Sequence, residues 1–301
     1  MLHAQSRLAK ELIQRAGARW PRTTANLAFR VFTRIPRQRD RNPNGAMPEH
    51  IAPVMLQTPS GVVATWTLPA ETPVGRTALL VHGWNSHSSH MLSLARSLND
   101  AGIDVVLLDL PGHGASSGRH LHLGKGIEAV DAAWRHHGPF DAFVGHSFGG
   151  AIALNAALGS SMCIPARRPE TLIMLAVPNS MPAVFRQFGR TVGLPAAAQE
   201  AMERKVFTIL GQSLDLIVSS EQLKDYRHPV LVVHDMDDRD VLYTDALRMA
   251  RAGKHVELFT TSGLGHRRIL KDAEVYAAVR DGIVGSTPRL AGQPVPMEDC
   301  A

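Results

Sequence analysis

Cysteine is nearly absent from this chain: 301 residues hold two, Cys163 and Cys300. Cys300 sits beside the C-terminus in a proline-bearing tail, so no structural disulfide is expected and a reducing, cytoplasmic setting fits best. No apolar run reaches the roughly 18 residues that a membrane-spanning helix needs. The N-terminus lacks an apolar stretch with a small-residue cleavage site, which argues against a secretory signal. Internal repeats and low-complexity tracts are also missing. His82, His87 and His90 lie close in sequence, but no Cys or carboxylate joins them at ligand spacing, so no metal site is expected.

What is present is ordinary for a soluble globular protein: 45% hydrophobic and 20% charged residues, enough chain for one large domain with an insertion. The charge is unevenly placed. Residues 1–41 carry ten Lys/Arg against Glu11 and Asp40, a balance of +8, so the remainder carries −3 of the total +5. The basic pI therefore belongs to an arm, and nucleic-acid binding by the body is not expected.

Helical spacing of apolar residues runs through 2–19 and again from Leu27 through Val31 to Ile35, punctuated by Pro21 and Pro36. The turn-rich Asn42-Pro43-Asn44-Gly45 then closes an arm of residues 1–45. After it come eight short β-rich runs, at 52–58, 62–68, 78–82, 103–109, 142–145, 172–177, 230–234 and 255–260. The later ones are nearly continuous in Val, Leu and Ile and alternate with helical stretches, which predicts an α/β fold with a doubly wound, mostly parallel sheet. About 50 residues rich in Met, Phe and Leu separate the sixth run from the seventh. They predict a helical cap at 178–228 between core segments 46–177 and 229–285, with a tail at 286–301.

Gly145-His146-Ser147-Phe148-Gly149-Gly150 follows one apolar strand and precedes a helix-like run. This is G-x-S-x-G in strand–turn–helix context, where small residues permit a strained turn that exposes a serine. His82-Gly83-Trp84 follows an earlier strand and resembles an oxyanion turn, making the backbone N–H groups of Trp84 and Phe148 the candidate donors. Two later strands end in loops bearing Asp235, Asp237, Asp238 and Asp240, then His266. Carboxyl ends of strands are where open α/β sheets place ligands.

These motifs, in the order Ser…Asp…His, make residues from about Val54 to Val284 resemble the α/β-hydrolases of the serine aminopeptidase, lysophospholipase and esterase group. The turn Asp109-Leu110-Pro111-Gly112-His113-Gly114-Ala115-Ser116 strengthens the likeness, with Asp109 stabilising the turn. The resemblance implies Ser147 as nucleophile, His266 as general base and an acid in the aspartate loop. Aligning His234 and Val241 with that family's H-G-x-x-D-x-x-V pattern selects Asp238 over Asp237, although Asp235 stands where the family usually has glycine.

The implied reaction is acyl transfer to water, with a small-molecule ester as partner and no cofactor. A carboxylesterase acting on small to medium acyl groups leads. Lysophospholipase or monoacylglycerol lipase-like, thioesterase, peptidase and carbon–carbon hydrolase activities remain open, as does a non-catalytic ligand receptor on the same scaffold. Met181, Phe185, Phe188 and Phe207 are candidate pocket residues, though such spacing also suits simple packing. His113, His136 and His137 read as turn or helix-end residues. For the arm, a peripheral contact with an anionic membrane or partner stands beside three competitors: a flap packed on the body, a transit peptide and a solvated tail. Oligomeric state is not legible.

Overall fold

The computed structural model describes residues 2–36, 47–48 and 51–285. The turn at 42–45, Arg37, Arg39, Arg41, the tail at 286–301 and Cys300 lie outside the described residues. All eight β-rich runs form strands: β1 (Val54–Thr58), β2 (Gly61–Leu68), β3 (Arg76–Val81), β4 (Ile103–Leu108), β5 (Ala142–His146), β6 (Thr171–Leu175), β7 (Val230–Asp235) and β8 (Val256–Thr261). They build one sheet in the order β1-β2-β4-β3-β5-β6-β7-β8, antiparallel at β1–β2 and β2–β4 and parallel from there on.

Alternate side chains of the central parallel strands β3 to β7 feed two separate cores, which is why those strands read as nearly continuous apolar runs. Leu79, Val81, Val106, Leu108, Phe143, Leu172 and Val232 point to one face. There they meet α4 (Leu123–His137), α5 (Phe148–Leu158) and α9 (Tyr243–Ala250). Leu80, Val105, Leu107, Val144, Ile173 and Val233 point to the other, against α3 (Leu92–Asp100) and α11 (Ala273–Val284). Because β3 lies between β4 and β5, successive crossovers leave it in opposite directions. A crevice forms at the carboxyl ends of β3 and β5 as a result.

Between β6 and β7 the chain forms α6 (Met181–Val192), α7 (Ala196–Leu210) and α8 (Ser219–Asp225) over that crevice. The arm folds into α1 (Leu2–Arg19) and α2 (Pro21–Thr33), and α2 packs on α7. Ala25, Ala28, Phe29 and Thr33 form the buried face of α2. Lys205 on α7 bonds Asn26 Oδ1 at 2.7 Å and lies 5.4 Å from the centre of the Phe29 ring. Two backbone bonds, Ile35 N to Arg119 O and Leu121 N to Thr33 O, both 2.9 Å, tie the end of α2 to the loop before α4. The second half of the arm is thus built into the body, because its small and aromatic residues share one helix face that the cap covers.

This packing predicts an asymmetry between neighbouring positions of α2. Phe29→Ala should cost about 3 kcal/mol of unfolding free energy, the range for deleting a buried aromatic. Leu27→Ala, on the exposed side, should stay within about 0.5 kcal/mol. Urea unfolding of both variants checks the difference.

Candidate active site

Ser147 is the residue between β5 and α5 and has φ +53° and ψ −125°, outside the usual range for a side-chain-bearing residue. Two close approaches make the turn possible. A Cβ on Gly145 would strike the backbone of Gly150, and one on Gly149 would strike the carbonyls of Val81 and His82. The Ser147 amide still donates to Leu175 O at 2.8 Å, extending the β5–β6 ladder, so the strained residue is held by the sheet itself.

His266 lies on α10 (Gly265–Arg268), just after β8, and Asp238 in the loop after β7. Asp238 Oδ2 is 2.7 Å from His266 Nδ1, and His266 Nε2 is 3.0 Å from Ser147 Oγ. An ionised carboxylate only accepts, so Nδ1–H donates to it, leaving Nε2 of the neutral ring to accept from the serine hydroxyl. The other oxygen of Asp238 accepts from Asp240 N at 2.8 Å and Val241 N at 2.9 Å. Burial alone would raise the Asp238 carboxyl, but the His266 hydrogen bond, the Val241 and Asp240 amides and the His266 charge together hold it below its ordinary value. Asp237 is placed otherwise: its carboxylate accepts from Gly263 N at 2.8 Å.

Two residues that sequence reasoning left without a role hold this line in place. Asp235, fully buried, accepts from Asp237 N at 3.0 Å, Thr261 Oγ1 at 2.8 Å and Leu264 N at 3.0 Å. It ties the Asp238 loop to the loop that carries His266. His146, inside the G-x-S-x-G motif, places Nε2 2.8 Å from His266 O. Burial, then the His266 charge, push His146 down to about 4, so its ring is neutral at neutral pH and Nε2–H donates. The departure from glycine at 235 was the available signal for the first; only the fold reveals the second.

Trp84 follows β3 and Phe148 opens α5, their rings 5.7 Å apart. The turns beside them are stapled by neutral histidines. His82 Nε2 accepts from Leu110 N at 3.0 Å, and His113 Nε2 accepts from Asn85 N at 3.1 Å. Burial, with the His113 charge second, lowers His82 well below its ordinary value; burial pushes His113 down to about 4. Asp109 accepts from Ser88 N, Trp66 Nε1 and Ala115 N, which knits the loops after β3 and β4 to β2. His137 Nε2 is 2.8 Å from Thr65 Oγ1, near the end of α4. No cluster of three or more metal-ligating side chains occurs among the described residues.

A cavity of about 790 Å3 opens from Ser147 and His266 beneath the cap. Of the candidate pocket residues, Met181 and Phe185 line it, whereas Phe188 and Phe207 do not. Phe188 instead packs on Phe32, with ring centres 4.9 Å apart. Phe207 is 60% exposed, one position beyond the buried stripe of α7 that includes Met202, Val206 and Leu210. The wall that sequence reasoning did not anticipate comes from the arm: Phe29 and Phe32 of α2 line the cavity, and Phe32 lies 4.6 Å from Phe185 and 6.3 Å from Trp84, centre to centre.

The α/β hydrolase family model matches residues 78–279, about two thirds of the chain, including the segments that carry Ser147, Asp238 and His266 but not α2. The chain belongs to the α/β hydrolase family. Similar solved structures include Est1E from Butyrivibrio proteoclasticus, 19% identical, with a TM-score of 0.60 over 77% of this chain and 98% of that one. The Pyrococcus furiosus esterase Pf2001 is 17% identical, with a TM-score of 0.59 over 79% and 93%. XC6422 from Xanthomonas campestris, described as an a/b serine hydrolase without lid, is 19% identical, with a TM-score of 0.55 over 81% and 100%. At these identities the likeness concerns the fold. No curated protein matches this α/β hydrolase in sequence.

Asp235 generates the prediction here. Asp235→Ala leaves two amides and a hydroxyl without their acceptor, at about 1 kcal/mol or more each, so a loss of about 3 kcal/mol is expected at neutral pH. Burial raises the Asp235 carboxyl, but the Gly265, Leu264 and Asp237 amides and Thr261 outweigh it and lower it. Its stabilisation is therefore complete above the ordinary carboxylate value near ~3.9 and vanishes as pH falls through the lowered folded value. Urea midpoints of wild type and variant should differ most at pH 7, and the difference should shrink as pH falls through that lowered value.

Proposed function

We propose that this α/β hydrolase is a serine hydrolase that cleaves carboxylic esters of small to medium acyl groups through an acyl-enzyme on Ser147. The observation that carries the reading is continuity: the hydrogen-bonded line Asp238–His266–Ser147 ends at the floor of a largely apolar cavity. Ser147 Oγ attacks the ester carbonyl carbon while His266 Nε2 takes its proton. Asp238 keeps the proton on Nδ1 and stabilises the imidazolium. The Trp84 and Phe148 N–H groups receive the oxyanion. Collapse expels the alcohol, protonated by His266, and a water activated by the same nitrogen then releases the acid.

The substrate class follows from the walls. Phe29, Phe32, Trp84, Phe148, Met181 and Phe185 surround the serine with ring faces and a thioether, surfaces that suit an acyl chain better than a polar peptide. The volume lies within the roughly 300–1,000 Å3 of small-molecule sites.

Two measurements test this. Ser147→Ala should abolish ester turnover and fluorophosphonate labelling with unchanged thermal unfolding, and undiminished labelling would refute the nucleophile. Asp238→Asn should lower kcat by about 10^3 to 10^4, whereas Asp237→Asn should change it only a few-fold, because Asp237 does not touch His266.

A further inference from the structure

The inner face of α2 is covered by the cap, but its outer face is not. Leu27 is 65% exposed and Val31, one turn later, 55%. Trp20, immediately before the helix, is 59% exposed as well. Leu12 on α1 is 59% exposed. Isolated exposed apolar residues are common, but a short helix with apolar groups on opposite faces calls for a cover on each.

The charges around this face are almost all positive. Lys10, Arg15, Arg19, Arg22, Arg30 and Arg34 are all exposed, and Glu11 is the single acid among the described residues of the two helices. None of the six cations forms an ion pair among the described residues. The body uses its arginines differently, pairing Arg76 with Asp141 and Arg167 with Asp131. The local potential is felt nearby: partial burial, then the charges of Lys125, Arg30 and Arg34, lower His120. The Arg19 guanidinium lies 5.7 Å from the Trp20 ring centre, joining a cation to a ring that favours the boundary between water and lipid.

We propose that the outer face of α1 and α2 docks on an anionic lipid bilayer, with Leu12, Trp20, Leu27 and Val31 entering the interface and the cations lying among the headgroups. A second copy of this chain fits the face poorly, because a two-fold contact would set cations against cations. Arginine and lysine stems flanking an apolar stripe are instead suited to a charged surface with an apolar interior. Phe29 and Phe32 project from the opposite side of α2 into the cavity, so docking holds the cavity wall about one helix diameter, roughly 10–12 Å, from the lipid. The arm thereby has two roles in one helix, membrane contact outside and cavity wall inside.

The test uses the full chain and co-sedimentation with phosphatidylcholine vesicles, with or without one third phosphatidylglycerol, at low and high salt. Expected are binding to the anionic vesicles at least tenfold tighter than to the neutral ones, weakened by salt. The double variant Leu27→Ser/Val31→Ser should bind at least tenfold more weakly, with unchanged thermal unfolding and unchanged turnover of a soluble ester. Ser147→Ala should bind like wild type, which separates this proposal from the hydrolase reading. Failure of the wild type to sediment with anionic vesicles overturns the proposal. Undiminished binding by the double variant overturns it as well, since the protein would then dock through another face. A wild-type dimer that the double variant turns into monomers, without vesicle binding by either, assigns the face to a second copy instead.

Discussion

The hydrogen bond between His266 and Ser147 joins residues 119 positions apart, and the rest of the site depends on it. It closes only if β5, β6, β7 and β8 keep their parallel register, because each contributing residue follows the carboxyl end of a strand. Side chains on opposite faces of the sheet supply the packing that holds that register. Asp235 and His146 then remove the remaining freedom, one by collecting groups from both loops, the other by bonding the His266 carbonyl. Strain at Ser147 is tolerated because the neighbouring glycines let backbone pass where a side chain would not.

The second organising feature is α2. In composition it belongs to a basic arm, yet its inner face completes the cavity with Phe29 and Phe32 and buries Ala25 and Ala28. An aromatic belt therefore runs from Phe148 beside the serine through Trp84 and Phe32 to Phe185 in the cap. The arm, the cap and the turn after β3 meet there, so a change in α2 acts on the cavity as directly as a change in the cap. The basic outer surface sits on the same helix, and the charge asymmetry of the sequence is concentrated beside the cavity.

Much of this was legible beforehand, for local reasons. Strands buried on both faces must be apolar without interruption, and all eight appear within a few residues of the expected bounds. Helix spacing in residues 2–19 and 27–35 likewise marks α1 and α2. The pocket was less legible. Met181 and Phe185 face the cavity while Phe188 and Phe207 do not, because a difference of one position turns a helical side chain by about 100° and the apolar pattern alone does not say which neighbour each face meets.

By itself the sequence determined the alternation of strands and helices, the small residues around Ser147, the order of serine, aspartates and histidine along the chain, and the excess of cations in its first 41 residues. Each of these is a preference of neighbouring residues for one backbone shape or one solvent. How Asp235 binds two loops together and the entry of Phe29 and Phe32 into the cavity were decided only by tertiary structure. Those contacts join positions from 26 to more than 100 residues apart, and sheet register and helix rotation set them.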